Sequence, residues 1–174
     1  MEKINPVHPY FWHAVYVKSR SEKKAQLELQ AKEIETFLPL QRKLRQWSDR
    51  KKWVETPLIS GYLFVKASRV EYDLVLQSNY VVSYVRFEGK AAIVPDYQID
   101  YLKLMLKQDN SDIEITREKL KPGQMIEVVA GPLIGIKGKL QKIKGKSKVA
   151  IELEQLGCSA LVEIEYEDII SIKA

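Results

Sequence analysis

The chain has 174 residues, 45% of them hydrophobic and 29% charged, with 28 Lys+Arg against 23 Asp+Glu. That length suits one ordinary domain or two small ones, and the apolar fraction is sufficient for packed cores. No run approaches the roughly 20 apolar residues that cross a bilayer, residues 1–12 lack a signal-peptide layout, and the single cysteine, Cys158, cannot close an internal disulfide. The cytoplasm is therefore the expected compartment, and no membrane partner is expected.

The net charge of +5 is unevenly placed: residues 1–110 carry 18 Lys+Arg against 13 Asp+Glu, and residues 111–174 carry 10 against 10. A partner drawn by positive potential is expected at the first part, and binding by shape and apolar contact at the second.

In chain order, Phe11 to Val17 is an aromatic and β-branched run that predicts a buried strand. Ser21 offers an N-cap and Glu22 a first-turn carboxylate for a helix over about 21–34, with Leu27, Ala31 and Ile34 inward and Ala25 and Leu29 widening the face. Thr36 to Leu44 is expected to be extended. A charged hairpin is expected around Trp47-Ser48-Asp49-Arg50, and a central strand over Leu58 to Val65, apolar on both alternations. Ser68-Arg69-Val70-Glu71 has the form of a capping box before a short helix with Leu74 and Val75 inward. Strands follow over Tyr80 to Phe87 and Ala91 to Val94. A helix then opens at Pro95-Asp96 and carries Ile99, Leu102, Met105 and Leu106 on one face. The mixing of hairpins and helices predicts an α+β sandwich with an antiparallel sheet.

The expected domains are 9–108 and 120–174, joined by a polar, aperiodic linker over 109–119. The second domain reads as five short strands: Met125 to Val129, Gly138 to Ile143, Lys148 to Glu154, Ala160 to Ile164 and Ile169 to Ile172. A small closed barrel removes the exposed edges of such a set. Alternation at 150–153 and 162–164, with Gly145 and Gly157 interrupting, argues against an all-helical alternative state.

The most specific local pattern runs from Val128 to Leu140, VVAGPLIGIKGKL. Gly131-Pro132 predicts a tight turn, and Gly135 and Gly138 let the returning strand approach closely. Taken alone, the run is equally a generic β-hairpin with a glycine-rich tip. It closely resembles the KOW motif, and the likeness continues through Lys148-Val149-Ala150-Ile151 to Val162-Glu163-Ile164. Trp12 to Lys18 resembles the opening strand of an NGN domain, and Gly61-Tyr62-Leu63-Phe64-Val65 its central strand. Val85-Arg86-Phe87 followed by Ala92-Ile93-Val94-Pro95 is similar to the specialised RfaH- and UpxY-type paralogues. The chain thus resembles the NusG family from Phe11 to Ile172.

The resemblance implies a transcription elongation and antitermination factor without enzymatic activity or cofactor. Its NGN domain would sit on the RNA polymerase clamp. Its SH3-like KOW barrel would recruit another factor, either Rho or a ribosomal small-subunit protein. Tyr16, Ile59, Tyr62 and Phe64 fall on or beside the positions that match the family's polymerase-binding depression, although all four also read as core. Ile59-Ser60-Gly61 departs from the family's Phe-Pro-Gly or Phe-Pro-Asn. Tyr72-Asp73-Leu74 stands where RfaH-like proteins carry a His-Thr-Thr contact. In the barrel, Leu133, Ile136 and Leu156 match partner-facing positions, with barrel core as the alternative.

Arg42, Lys43, Arg45, Arg50, Lys51 and Lys52, opposed only by Asp49 and interleaved with Trp47 and Trp53, form a candidate nucleic-acid surface. Lys and Arg supply sequence-independent phosphate affinity, and exposed aromatics stack on unpaired bases. The family places this hairpin near upstream or non-template DNA, whereas a solvated charged hairpin is the bland alternative. Catalytic and metal readings find little support: His8 and His13 have no second ligand cluster, Cys158 has no neighbouring base, and no phosphate-binding glycine loop occurs. The expectation is an operon-specific monomeric factor. The alternatives are a housekeeping NusG-type factor and a ribosome- or RNA-binding KOW protein, the latter disfavoured by a charge-neutral second part.

Overall fold

The computed structural model describes residues 8–108 and 112–173. Its first elements are β1 (Phe11–Val17), α1 (Glu22–Ala31), β2 (Glu35–Phe37), β3 (Leu40–Gln46), β4 (Lys51–Pro57), β5 (Tyr62–Ala67), α2 (Tyr72–Leu76), β6 (Val81–Tyr84), β7 (Arg86–Phe87), β8 (Lys90–Ala91), β9 (Ile93–Val94) and α3 (Asp96–Leu106). Then come β10 (Glu114–Thr116), β11 (Met125–Val128), β12 (Lys137–Ile143), β13 (Lys146–Leu153), β14 (Cys158–Glu163) and β15 (Ile169–Ser171). The chain packs as two units. One takes the chain up to Leu38 and then Ser60–Asp96; the other takes Pro39–Ile59 and everything from Tyr97 onward.

The expected boundary at 109–119 would have left the β3–β4 hairpin and α3 with the first sheet. In the second unit, the Gln98 side-chain amide donates to the Glu152 carbonyl at 3.0 Å, and Lys43 lies 3.4 Å from Asp112. Of the expected linker, residues 109–111 lie outside the described residues. Ile113 is buried, and Glu114–Thr116 is a strand pairing antiparallel with β14. Two isoleucines, Ile113 and Ile115, interrupt the polar stretch where this edge strand forms.

In the first unit, β1 and β5 pair antiparallel from Phe11↔Ala67 to Tyr16↔Tyr62. β2 flanks β5, while β6 and β9 share the other side of β1, so the sheet runs β2-β5-β1-β6 with β9 beside β1. The central strand is as expected, though it begins at Tyr62 and leaves Leu58 to Gly61 as its approach. Opposite residues in an antiparallel ladder share a face. One face therefore carries Trp12, Tyr16, Phe37, Tyr62 and Phe64, and the other carries His13, Val15, Leu63, Val65 and Tyr84.

The helix α1 presents a different stripe from the one expected. Ala25 and Leu29 are fully buried with Glu22 beside them, whereas Leu27 is 68% exposed and Ala31 is exposed. Glu22 explains the rotation: its carboxylate accepts the Gly61 N–H at 2.9 Å, which holds the first turn against the start of β5. Ile34 is buried beyond the helix end, after Glu33 takes a φ of 61°. Ser21 makes no side-chain cap, and its hydroxyl donates to the Ser19 carbonyl instead. The capping box forms in part, with the Ser68 N–H and hydroxyl both donating to Glu71 at 2.9 Å. In α3, Ile99, Leu102 and Met105 are fully buried, as their spacing predicts.

In the second unit, a six-stranded antiparallel sheet runs β10-β14-β13-β12-β11-β15. The five expected strands are all present and β10 is added. The ladder has two ends, so hydrogen bonding does not close it into the expected barrel. Its core is apolar: Ile126, Val128, Val149, Ile151, Leu153, Ala160 and Val162 are buried. Gly131 takes a φ of 76°, as the predicted tight turn requires. At Gly138 a Cβ would lie 2.5 Å from the Ala150 carbonyl oxygen and 2.8 Å from Val149 Cγ2.

Gly138→Ala should therefore force β12 away from β13 and lower stability by about 1–3 kcal/mol, the usual penalty of overpacking, as measured by urea melts. A second expectation concerns Glu28, which accepts the Ser78 hydroxyl at 2.9 Å and the Asn79 N–H at 3.2 Å, with Lys32 3.7 Å away. Burial pushes the Glu28 carboxyl up, but these hydrogen bonds and the Lys32 ammonium outweigh it and hold the group below its ordinary value. A depressed folded-state pKa contributes stability above the unfolded pKa that is lost as pH falls through the folded value. Glu28→Gln should thus lower Tm at about pH 7, with a difference from the parent that shrinks below about pH 4.

Candidate functional site

The β3–β4 hairpin pairs in register from Leu40↔Pro57 to Gln46↔Lys51, and the turn closes with the Trp47 N–H donating to the Arg50 carbonyl at 2.8 Å. All seven residues expected to meet nucleic acid, Arg42, Lys43, Arg45, Trp47, Arg50, Lys51 and Lys52, are exposed. Register divides the two arms between two faces. Lys43↔Val54 and Arg45↔Lys52 lie on one face, which is cationic. Arg42↔Glu55, Leu44↔Trp53 and Gln46↔Lys51 lie on the other. There the exposed Trp53 ring sits beside exposed Leu44, and the Arg42 guanidinium lies 5.9 Å from the ring centroid. Sequence order interleaves cations and tryptophans; the pleat gathers Lys43, Arg45 and Lys52 on one face and leaves Arg42 and Lys51 on the other with Trp53. Leu44 is the residue that the sequence reading missed, and alternation along 40–46 was the signal for it.

The four residues expected to meet polymerase divide by exposure. Tyr16, Tyr62 and Phe64 share the aromatic face of the five-stranded sheet, where Tyr16 and Tyr62 have centroids 5.0 Å apart and Phe64 stacks on Phe37 at 6.0 Å. Tyr16 is 39% exposed, Tyr62 9%, and Phe64 fully buried. Ile59 is buried in the other unit, outside this sheet. Phe64 thus serves as core, because β5 is flanked by strands on both sides and Phe64 is caught between Ala14 and Phe37. The face also carries Trp12, beneath the Lys66 ammonium at 5.7 Å.

The three residues expected to face a partner from the second domain point inward: Leu133 and Leu156 are 5% exposed and Ile136 is fully buried. The loop geometry explains this for Leu133 and Ile136, while Leu156 is buried in the short 3-10 turn Glu154–Leu156. The Val128 N–H donates to the Ile136 carbonyl at 2.9 Å and the Gly135 N–H to the Val128 carbonyl at 2.8 Å, which tucks the turn back on β11. The neighbour Ile134 is left 58% exposed, and Val129 and Ile170 are also exposed. The last two lie on one side of the β11–β15 pair, where Ile170 faces Glu127, two residues before Val129.

Titratable groups elsewhere have structural roles. His13 donates through Nδ1 to the Ala92 carbonyl at 3.0 Å and packs edge-on to Tyr84 at 5.5 Å; burial lowers its pKa, partly opposed by that hydrogen bond. Burial raises the Cys158 thiol pKa, with Arg117 acting in the opposite sense. Among the described residues, no group of three His, Cys, Asp or Glu is placed to hold a metal.

Comparisons with known proteins agree with this architecture. None of the curated proteins matches the chain. The solved structure described as "Domain interaction in Thermotoga maritima NusG" is 20% identical with a TM-score of 0.50, over 95% of this chain and 98% of that one. It supports the fold. A chain of the "MjSpt4:Spt5 complex" is 17% identical over 94% of this chain and 97% of its own, but its TM-score of 0.31 is too low to bear on the fold. The family model described as "Transcription termination factor nusG" matches residues 10–103, which include the aromatic sheet face and the hairpin. More than half of the chain is covered by that match, and the chain belongs to the NusG family of transcription factors.

Proposed function

We propose that this protein is a non-enzymatic cytoplasmic antitermination and elongation factor. Residues 9–108 bind the RNA polymerase clamp and adjoining DNA, and residues 120–174, as a KOW-type domain, recruit a second protein. The hairpin carries this reading. Its cationic face suits the phosphates of upstream duplex, and its Trp53–Leu44 face suits stacking by an unpaired non-template base. Lys43, Arg45 and Lys52 gather on one face, and Arg42 and Lys51 flank the exposed ring on the other, so both faces can meet a polyanion. The likeness of Val85-Arg86-Phe87 and Ala92 to Pro95 to the specialised paralogues favours an operon-specific role.

Polymerase docking is assigned to the aromatic sheet face, with Tyr16 as its accessible contact and Tyr62 as the support beneath it. In the second half, exposed Ile134, Val129 and Ile170 take the partner-binding role first assigned to Leu133, Ile136 and Leu156. Rho and a ribosomal small-subunit protein are the two partner classes that the family suggests.

The functional test is in vitro transcription through a terminator in the upstream region of the operon that this protein serves. Read-through should rise with the parent protein and fall at least severalfold with Tyr16→Ala, while Tm stays close to the parent because that ring is already partly solvated. Unchanged pausing and termination with the parent would refute the reading. The hairpin gives a separate expectation. Replacing Lys43, Arg45 and Lys52 with Gln should reduce the slope of log affinity against log salt on duplex DNA by about 0.9 for each phosphate that is no longer neutralised. Trp53→Ala should weaken single-strand binding by about 1–3 kcal/mol with little change of slope. Fluorescence anisotropy across a salt series measures both, and an equal effect of the two variants on both substrates would remove the division of faces.

A further inference from the structure

The neutral charge of the second part conceals a strong polarity. Residues 117–148 carry nine Lys+Arg against two Asp+Glu, a surplus of seven, and residues 149–174 carry one against six, a deficit of five. Four of the lysines are matched across the sheet: Lys137 with Glu127 at 3.5 Å, Lys139 with Glu152 at 2.9 Å, Lys146 with Glu163 at 2.7 Å and Lys148 with Glu114 at 2.8 Å. Lys119, Lys121 and Lys142 have no such partner among the described residues, and all three line one groove of about 490 Å³.

That groove reaches from the β10 edge of the sheet to Gln141, Lys142 and Ile143 of β12. All three residues of β10 border it, and β10 ends the ladder, paired with β14 on one side and with no strand on the other among the described residues. Ile115, Leu120 and Leu161 supply apolar lining. Of its two carboxylates, Glu114 is taken by Lys148, whose side chain is only 8% exposed, and Glu118 alone stands against the three lysines. No aromatic residue lines the groove, so it offers no platform for a nucleic-acid base.

We propose that this groove binds an extended acidic peptide segment of a partner protein, which adds as a strand to the free side of β10. Main-chain hydrogen bonds to the edge supply affinity, and alternate side chains supply specificity. Carboxylates at every second position meet Lys119, Lys121 and Lys142, and the intervening apolar side chains rest on Ile115, Leu120 and Leu161. The shortness of β10 keeps the edge from recruiting uncharged strands indiscriminately. This site is distinct from the Ile134 surface, and its failure would leave the transcriptional reading untouched.

The test uses the full chain and a fluorescein-labelled peptide alternating Glu with Val, followed by anisotropy. Binding should be saturable, absent for a peptide alternating Lys with Val, and weaker at least tenfold for a Glu/Val peptide interrupted by Pro, which cannot complete the ladder. Replacing Lys119, Lys121 and Lys142 with Glu should weaken binding at least tenfold; a Gln triple variant serves if melting shows that the Glu variant is unfolded. A hairpin variant with Arg45 and Lys52 replaced by Gln, which leaves the Lys43–Asp112 pair intact, should bind the peptide like the parent. Equal binding of the Pro-interrupted peptide, indifference to the groove lysines, or a single-stranded RNA that binds this groove in place of the peptide would each overturn the proposal.

Discussion

The pairing of β1 with β5 is the constraint from which the first unit takes its organisation. Both strands lie inside the sheet and are largely buried on each alternation, with Phe11 and Tyr16 of β1 as the exposed exceptions. Their register sets which rings are neighbours: with Tyr16 opposite Tyr62 and Ala14 opposite Phe64, the aromatic residues gather on one face. A slip of one residue would send every side chain of β5 to the other side. The Gly61 N–H held by Glu22 secures that register at the entrance to β5, which is why a carboxylate occupies a buried position on α1.

Exposure on that face is graded, and the gradient separates folding from function. Phe64 is fully buried, and its truncation would cost about 3–5 kcal/mol as a core residue. Tyr16, one ring away through Tyr62, retains solvent contact at the end of β1. A surface built this way can lose its outermost ring without losing the packing beneath.

The hairpin and the six-stranded sheet solve a common problem by different means. Each is rich in lysine or arginine, and each must place like charges without crowding them. On the hairpin, the two-residue pleat puts Lys43, Arg45 and Lys52 on one side and Arg42 and Lys51 beside Trp53 on the other, with Glu55 opposite Arg42. In the sheet, cross-strand carboxylates from β13, β14, β10 and β11 answer four of the five lysines of β12 and β13, and the fifth, Lys142, lines the groove with Lys119 and Lys121. Apart from the pair made by the buried Lys148, these are exposed pairs that contribute little to stability, so their consequence is the pattern of charge that remains.

Local pattern determined a good deal. The β-branched and aromatic runs, the Gly131 turn, the spacing of Ile99, Leu102 and Met105, and the hairpin around Asp49 all follow from near-neighbour chemistry, and each is found where the sequence places it. Tertiary structure alone decided the rest, because those outcomes depend on partners far away in the chain. Leu27 and Leu29 are equally apolar, and only Glu22 reaching Gly61 turns one outward and the other in. Ile134 and Ile136 differ in exposure because the loop folds back on Val128. Glu114–Thr116 is a strand because β14 presents a free side to it. The balance of ten cations and ten carboxylates across residues 111–174 was visible in composition, but which lysines keep an unmatched charge is settled only by the ladder that brings the two signs together.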